Sequence, residues 1–201
     1  MRTMLTVALV LAGCCVARAQ EALPRDEALK AAFQLCHDLP KMLDTPIPTD
    51  PDVKRPVGIH ADERGLMVLP ESKLSLDVLA KAGADVAPVG QLWLLKAVPA
   101  VDGQPAKAEK LKMVSVDGGE LGSITVALCA LGVRKGANGQ AELLVYGKDK
   151  QPLLHVALTA ISGLAKEDPI EVSAQGQGDG AVVTLKILGK YTADIPMALS
   201  E

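Results

Sequence analysis

Ser123-Ile124-Thr125-Val126-Ala127-Leu128-Cys129-Ala130-Leu131 alternates between two kinds of side chain. In an extended chain, successive side chains point to opposite faces, so Ile124, Val126 and Leu128 share one face while Ser123, Thr125, Ala127 and Cys129 share the other. The first face is bulky and the second small, and the small one leaves room for a helix to lie across it.

Moving outward, the chain from Pro56 onward repeats this texture in short runs bounded by glycine, proline and aspartate. Val57 to Ala61 and Leu66 to Leu69 form a first pair around Asp62-Glu63-Arg64-Gly65. Val89 to Val98 is apolar on both faces, with Trp93 and Leu95 on one and Leu92 and Leu94 on the other, as expected of a central strand. Val101-Asp102-Gly103-Gln104-Pro105 and the stretch from Tyr146 to Pro152 read as turns. Lys110 to Val116, Ser123 to Val133, Ala141 to Tyr146, Pro152 to Thr159, Ile170 to Ala174 and Ala181 to Leu188 complete the series. Ser72 to Ala82 interrupts it with a short helix expected to stop at Gly83. So many short strands fit better in two stacked sheets than in one. The expected fold is therefore all-β, an antiparallel β-sandwich of immunoglobulin-like or jelly-roll order. An N-terminal amphipathic helix precedes it, and one short helix is inserted. Such an outline serves many unrelated tasks.

The expected organisation is a signal peptide over 1–19, a helix with a Pro-rich linker over 20–55, and the sandwich domain over 56–201. Arg2 is followed by an almost unbroken apolar run from Met4 to Val16, too short to span a bilayer comfortably. Ala17-Arg18-Ala19 presents small residues where a signal peptidase needs them, which gives a soluble exported chain starting at Gln20. Leu11-Ala12-Gly13-Cys14 resembles the lipobox of bacterial lipoproteins, which implies lipidation of Cys14 and a membrane contact through that anchor alone. Soluble export is the first expectation, helped by the unusual Cys15 after the lipobox cysteine. Either way the chain is expected outside the cytoplasm, periplasmic or secreted. From Pro24 to Leu39, the residues Ala28, Leu29, Ala32, Phe33, Leu35, Cys36 and Leu39 recur at three- and four-residue steps, as one helix face does. Thr45-Pro46-Ile47-Pro48-Thr49-Asp50-Pro51 cannot continue it, because proline lacks the amide proton and restricts its predecessor. That segment is expected to run extended over the surface, with a flexible tether as the alternative.

Composition excludes several classes of function. Removing residues 1–19 lowers Lys plus Arg from 21 to 19 against 24 acids, a net charge of −5. Scattered lysines on a mildly acidic chain leave no footprint for nucleic acid. Phe33, Trp93, Tyr146 and Tyr191 are too few aromatics for stacking platforms under sugars or bases. An exported compartment permits a disulfide, and a helix lying on the small face of Ser123 to Leu131 would bring Cys36 near Cys129. That bridge would close a loop of roughly 90 residues, a gain of about 4–5 kcal/mol by chain entropy. Without it, the two are buried thiols acting as small apolar side chains.

No residue set converges on chemistry. His37, His60 and His155 are the only histidines, and no two ligand types stand at a zinc spacing. Cys36-His37 matches the end of the haem motif Cys-x-x-Cys-His, but Phe33 occupies the first cysteine position. His60 and Asp62 fall on one strand face as a base and its orienting carboxylate would, with no nucleophile elbow beside them. His155, Asp117 to Glu120 and Gly176 to Gly180 read as surface and turn residues rather than calcium or phosphate sites. No catalytic, cofactor or metal residue is assigned, and no cofactor is expected. The expected function is an exported non-catalytic interaction or structural module that meets an unidentified protein or envelope partner. The alternatives are an extracytoplasmic hydrolase built on Asp62, Glu63, Asp117 and Glu120, and a carrier of a small apolar ligand.

Overall fold

Period-two alternation folds into two antiparallel sheets stacked face to face. The computed structural model describes residues 21–37, 45–83, 85–117, 122–137, 139–163 and 168–200. Its elements are β1 (Glu21–Ala22), α1 (Arg25–His37), β2 (Val57–Ala61), β3 (Arg64–Pro70), α2 (Leu76–Lys81), β4 (Ala87–Leu95), β5 (Ala97–Val101), β6 (Gln104–Pro105), a 3-10 turn (Ala108–Lys110), β7 (Lys112–Asp117), β8 (Ser123–Lys135), β9 (Ala141–Tyr146), β10 (Leu154–Ala157), β11 (Thr159–Ala160), β12 (Ile170–Gln177), β13 (Gly180–Ile187) and β14 (Tyr191–Leu199). The first sheet runs β1-β2-β3-β4-β8-β9-β10, with β7 on β8 as well. The second runs β12-β13-β14-β5-β6, with β11 on β14.

β8 is the seam of the first sheet. Trp93 and Leu94 of β4 pair with Leu128 and Ala127, while Met113 and Val114 of β7 pair with Ala127 and Val126. β9 continues beyond β7, from Ala130 opposite Tyr146 to Lys135 opposite Ala141. Between the sheets lie Leu92, Leu94, Ala127, Cys129, Leu131, Leu143 and Val145 from one side, and Val183, Leu185, Ile187, Ala193 and Ile195 from the other. These side chains are almost wholly removed from water, which makes their burial the main drive for stacking.

The helix lies on the face opposite to the one expected. Ala32 of α1 packs with Met67, Leu69, Trp93, Val114, Val126 and Leu128, on the outer face of the first sheet. The small residues Ala127 and Cys129 instead face the second sheet. Complementarity of size explains this. The helix itself brings alanines, with Ala28 and Ala32 fully buried, so it fits against large side chains. The small side of β8 makes room for Leu185, Ile187 and Ile195. Phe33, expected on the buried face, is 61% exposed.

Three further expectations change. Val89 to Val98 is not one strand: the chain turns at Lys96, where φ is +51°, and passes from β4 in the first sheet to β5 in the second. A bent strand that switches sheets is a standard way to build a sandwich corner. β14 was not among the expected strands, yet Ala193, Ile195 and Met197 alternate with exposed Asp194 and Pro196, and it pairs along its length with β13. Gly83 is not the left-handed stop of α2; the helix starts because the Ser75 hydroxyl accepts the Val78 amide, and it ends at Ala82.

The Pro-rich segment runs extended, as expected, and is fastened down rather than tethered. The Asp52 amide donates to the Pro70 carbonyl at 2.7 Å, and the Ser72 amide donates to the Asp50 carbonyl at 2.8 Å. Ile47 packs with Val86 against Ala130, Leu144 and Tyr146. α1 and this strap together cover the outer face of the first sheet. β1 likewise joins the sheet, with Glu21 opposite His60 and Ala22 opposite Ile59.

Candidate functional site

Among the described residues, three of the places where polar side chains gather arise from strand register. The first lies under the strap. A bulge in β4 between Pro88 and Gly90 interrupts the alternation, so that Val89 and Leu92 both enter the core while Gln91 faces the strap and Trp93 packs under α1. Gly90 permits it: φ is +149°, and a Cβ there would sit 2.2 Å from the Leu69 carbonyl oxygen. Gln91, fully buried, donates Nε2–H to Thr49 Oγ1 at 2.9 Å and accepts from Trp93 Nε1 at 3.2 Å. Next to it Glu71, 6% exposed, accepts the Asp50 amide at Oε2 over 2.8 Å. The Ser72 hydroxyl donates to Asp50 Oδ2 at 2.6 Å. Burial pushes the Glu71 carboxyl above its usual range, helped by the Asp50 carboxylate and opposed by the Asp50 amide and Lys73.

The second place is the β8-β9-β10 end of the same outer face. Arg134 and Glu142 are cross-strand partners, and Glu142 Oε2 lies 3.6 Å from Arg134 Nε and 3.1 Å from His155 Nδ1. Arg134 Nη2 is 3.5 Å from that same His155 nitrogen. A histidine between a carboxylate and a guanidinium forms an ion-pair network near the surface, a structural arrangement as much as a chemical one. The signal for it lay in residues that only pairing of three strands brings together.

The third is on the outer face of the second sheet. Gln175, Gly176 and Gln177 of β12, Val182 and Thr184 of β13 and Asp194 of β14 line a shallow depression of about 330 Å³. Thr184 Oγ1 donates to Asp194 Oδ1 at 2.6 Å. Register places them: Thr184 sits opposite both Ser173 and Asp194, and Val182 opposite Gln175 and Pro196. Ser173, Gln175, Gln177, Lys186, Asp194 and Pro196 are exposed. A smaller cleft of about 240 Å³ lies where β2 approaches β12, with Arg25, Arg55, Asp168 and Glu171 among its lining. Its charges are mixed, and Arg55 already donates to Asp52 at 2.7 Å.

The residues singled out from sequence do not converge. Cys129 is a free thiol, completely buried between the sheets, and burial pushes it up to about 12, so it is held protonated and unreactive. The α1 helix lies across the other face of β8, which removes the geometric reason for pairing Cys129 with Cys36. The side chain of Cys36 and the whole of Cys14 lie outside the described residues. His60 stands on β2 with Nε2 3.9 Å from Glu21 Oε2. Asp62 leaves the strand in a tight turn at φ +53°, so the shared strand face expected for His60 and Asp62 is broken. Glu63, in the same turn, is exposed and paired with Lys96. The Asp117 side chain and Glu120 lie outside the described residues. Gly178 and Asp179 form the β12-β13 turn, with φ +57° at Gly178, as a glycine-first hairpin turn requires.

Among the described residues no group of three or more His, Cys, Asp or Glu side chains is placed to hold a metal ion, and no helix is long and apolar enough to cross a membrane. No family model, no curated protein and no solved structure matches this chain.

Proposed function

We propose that this protein is an exported, non-catalytic interaction or structural module, working in the periplasm or as a secreted protein, that meets a protein or envelope partner through the open face of its second sheet. The export half rests on residues 1–19, with Cys14 as the lipid attachment point if the lipobox is used. The observation that carries the other half is an asymmetry. The outer face of the first sheet is roofed by the chain's own α1 and strap. The outer face of the second sheet presents Ser173, Gln175, Gln177, Thr184 and Asp194 to solvent across three strands. A broad, rigid, hydrogen-bonding surface on packed strands suits recognition without conformational change. An apolar-ligand carrier is less well supported, because Leu92, Leu94, Leu131, Leu185 and Ile195 fill the space between the sheets.

The test compares capture of envelope components by the mature protein and by a Gln175→Arg/Thr184→Arg variant, with Lys81→Glu on α2 as a surface control. The expected result is a specific cross-linked partner kept by the wild type and the control and lost by the double variant, at unchanged thermal stability. Turnover of any substrate in a broad hydrolase panel, abolished by His60→Ala or His155→Ala, would overturn the reading.

A further inference from the structure

The strap is held to the first sheet by the Asp52 amide on the Pro70 carbonyl, by the Ser72 amide and hydroxyl on Asp50, by Gln91 on Thr49, by the packing of Ile47, and through the Glu71 carboxyl. Glu71 is buried beneath it, and its carboxyl accepts a neutral backbone amide, that of Asp50. A buried carboxylate facing one neutral donor and a second carboxylate is poorly compensated, whereas a carboxylic acid in the same place accepts that amide at its carbonyl oxygen with no charge to bury. The charged groups facing Glu71 are Asp50, from the strap, and Lys73, from the turn after β3; burial and Asp50 disfavour ionisation, while the Asp50 amide and Lys73 favour it. Asp52 belongs to the strap too. It is bonded to Arg55 and to the Lys54 amide, both local, so its charge shapes the strap without tying it to the sheet.

We propose that Glu71 is a charge-sensitive latch: uncharged, it holds the strap from Thr45 to Asp52 down on the first sheet, and ionised, it lets the strap lift. What lifts with it is specific. Ile47 leaves Ala130, Leu144 and Tyr146, and Thr49 leaves Gln91. A covered apolar face is thereby exposed beside the His155, Glu142 and Arg134 cluster. Because the folded carboxyl range is raised, the latch is fully engaged below the ordinary glutamate range and is released as pH rises through the raised one.

The molecule carries its own reporter. Trp93, the only tryptophan, is joined to the strap through Gln91 and Thr49. The experiment follows acrylamide quenching of Trp93 and hydrogen exchange of residues 45–55, corrected for intrinsic exchange, in the mature protein from about pH 4 to about pH 7. In the wild type both are expected to rise several-fold with pH. In Glu71→Gln, whose amide can accept from Asp50 and donate to its carboxylate, both stay at the low-pH level. A wild type that does not change, or a Glu71→Gln protein that rises as the wild type does, would overturn the latch. If Glu71→Gln does not fold, Asp50→Asn serves in its place: a shallower rise supports the latch, and a rise as steep as the wild type's overturns it.

Discussion

The two sheets share one core, yet their outer faces have opposite fates. The first sheet carries Met67, Leu69, Trp93, Val126, Leu128, Leu144 and Tyr146 outward, and every one is buried because α1 and the strap lie over them. The second carries Ser173, Gln175, Thr184, Thr192 and Asp194 outward, with no apolar stripe to cover. An outer face that is apolar recruits whatever chain is at hand, and here that is the N-terminal segment. A polar outer face stays wet and available. The domain is thus covered on one side by its own chain and exposed to water on the other.

The contrast can be broken most severely at Gly90→Ala. Its Cβ would collide with the Leu69 carbonyl oxygen in a backbone conformation that side-chain-bearing residues avoid, and the expected loss is at least about 3 kcal/mol in urea unfolding, with failure to fold as the extreme. Next, Leu144→Ala beneath the strap should cost about 2–5 kcal/mol, because it empties a fully buried site. Thr184→Ala at the matching place on the second sheet should stay within about 0.5 kcal/mol. Equal costs for the two would mean that the faces do not differ as described. Gln91→Leu leaves the Trp93 indole N–H and Thr49 without their shared partner; about 1–3 kcal/mol should be lost, with a shift in Trp93 emission. A small effect also belongs to Asp52. Burial opposes its ionisation, but Arg55 and the Lys54 amide outweigh it and hold the carboxyl below the usual range. Its contribution is therefore present above the ordinary aspartate range and lost as pH falls through the lowered one, the reverse of Glu71. Asp52→Asn should remove less than about 1 kcal/mol at neutral pH, since Arg55 is about a third exposed.

Much of the sandwich was legible because period-two burial leaves a local trace. β2 and β9 fall on the residues where the alternation begins and ends. The opposite faces of Leu92 and Trp93 were readable in the same way, and they do lie in different clusters. β14 carried that trace too, but Pro196 masked it, since proline within a run usually argues against a strand. Lys96 gave no warning, because a left-handed corner needs only a residue that tolerates it when the layers on either side impose it. The polar places were hidden for a different reason. Gln91 and Glu71 look like ordinary surface residues until the strap buries them, and His155, Glu142 and Arg134 become neighbours only through strand pairing.

The order of side chains along the chain was enough to determine that this protein is built of extended, alternating strands and led by an apolar N-terminal run, because both properties reside in residues next to one another. Which layer lies on which face was settled only in three dimensions. Two surfaces of β8 were each able to accept a cover, and the choice between helix and sheet depended on the combined volumes of residues far apart in sequence. That same choice buried Cys129 on one side, roofed Trp93 on the other, and left the face of Thr184 and Asp194 open to water.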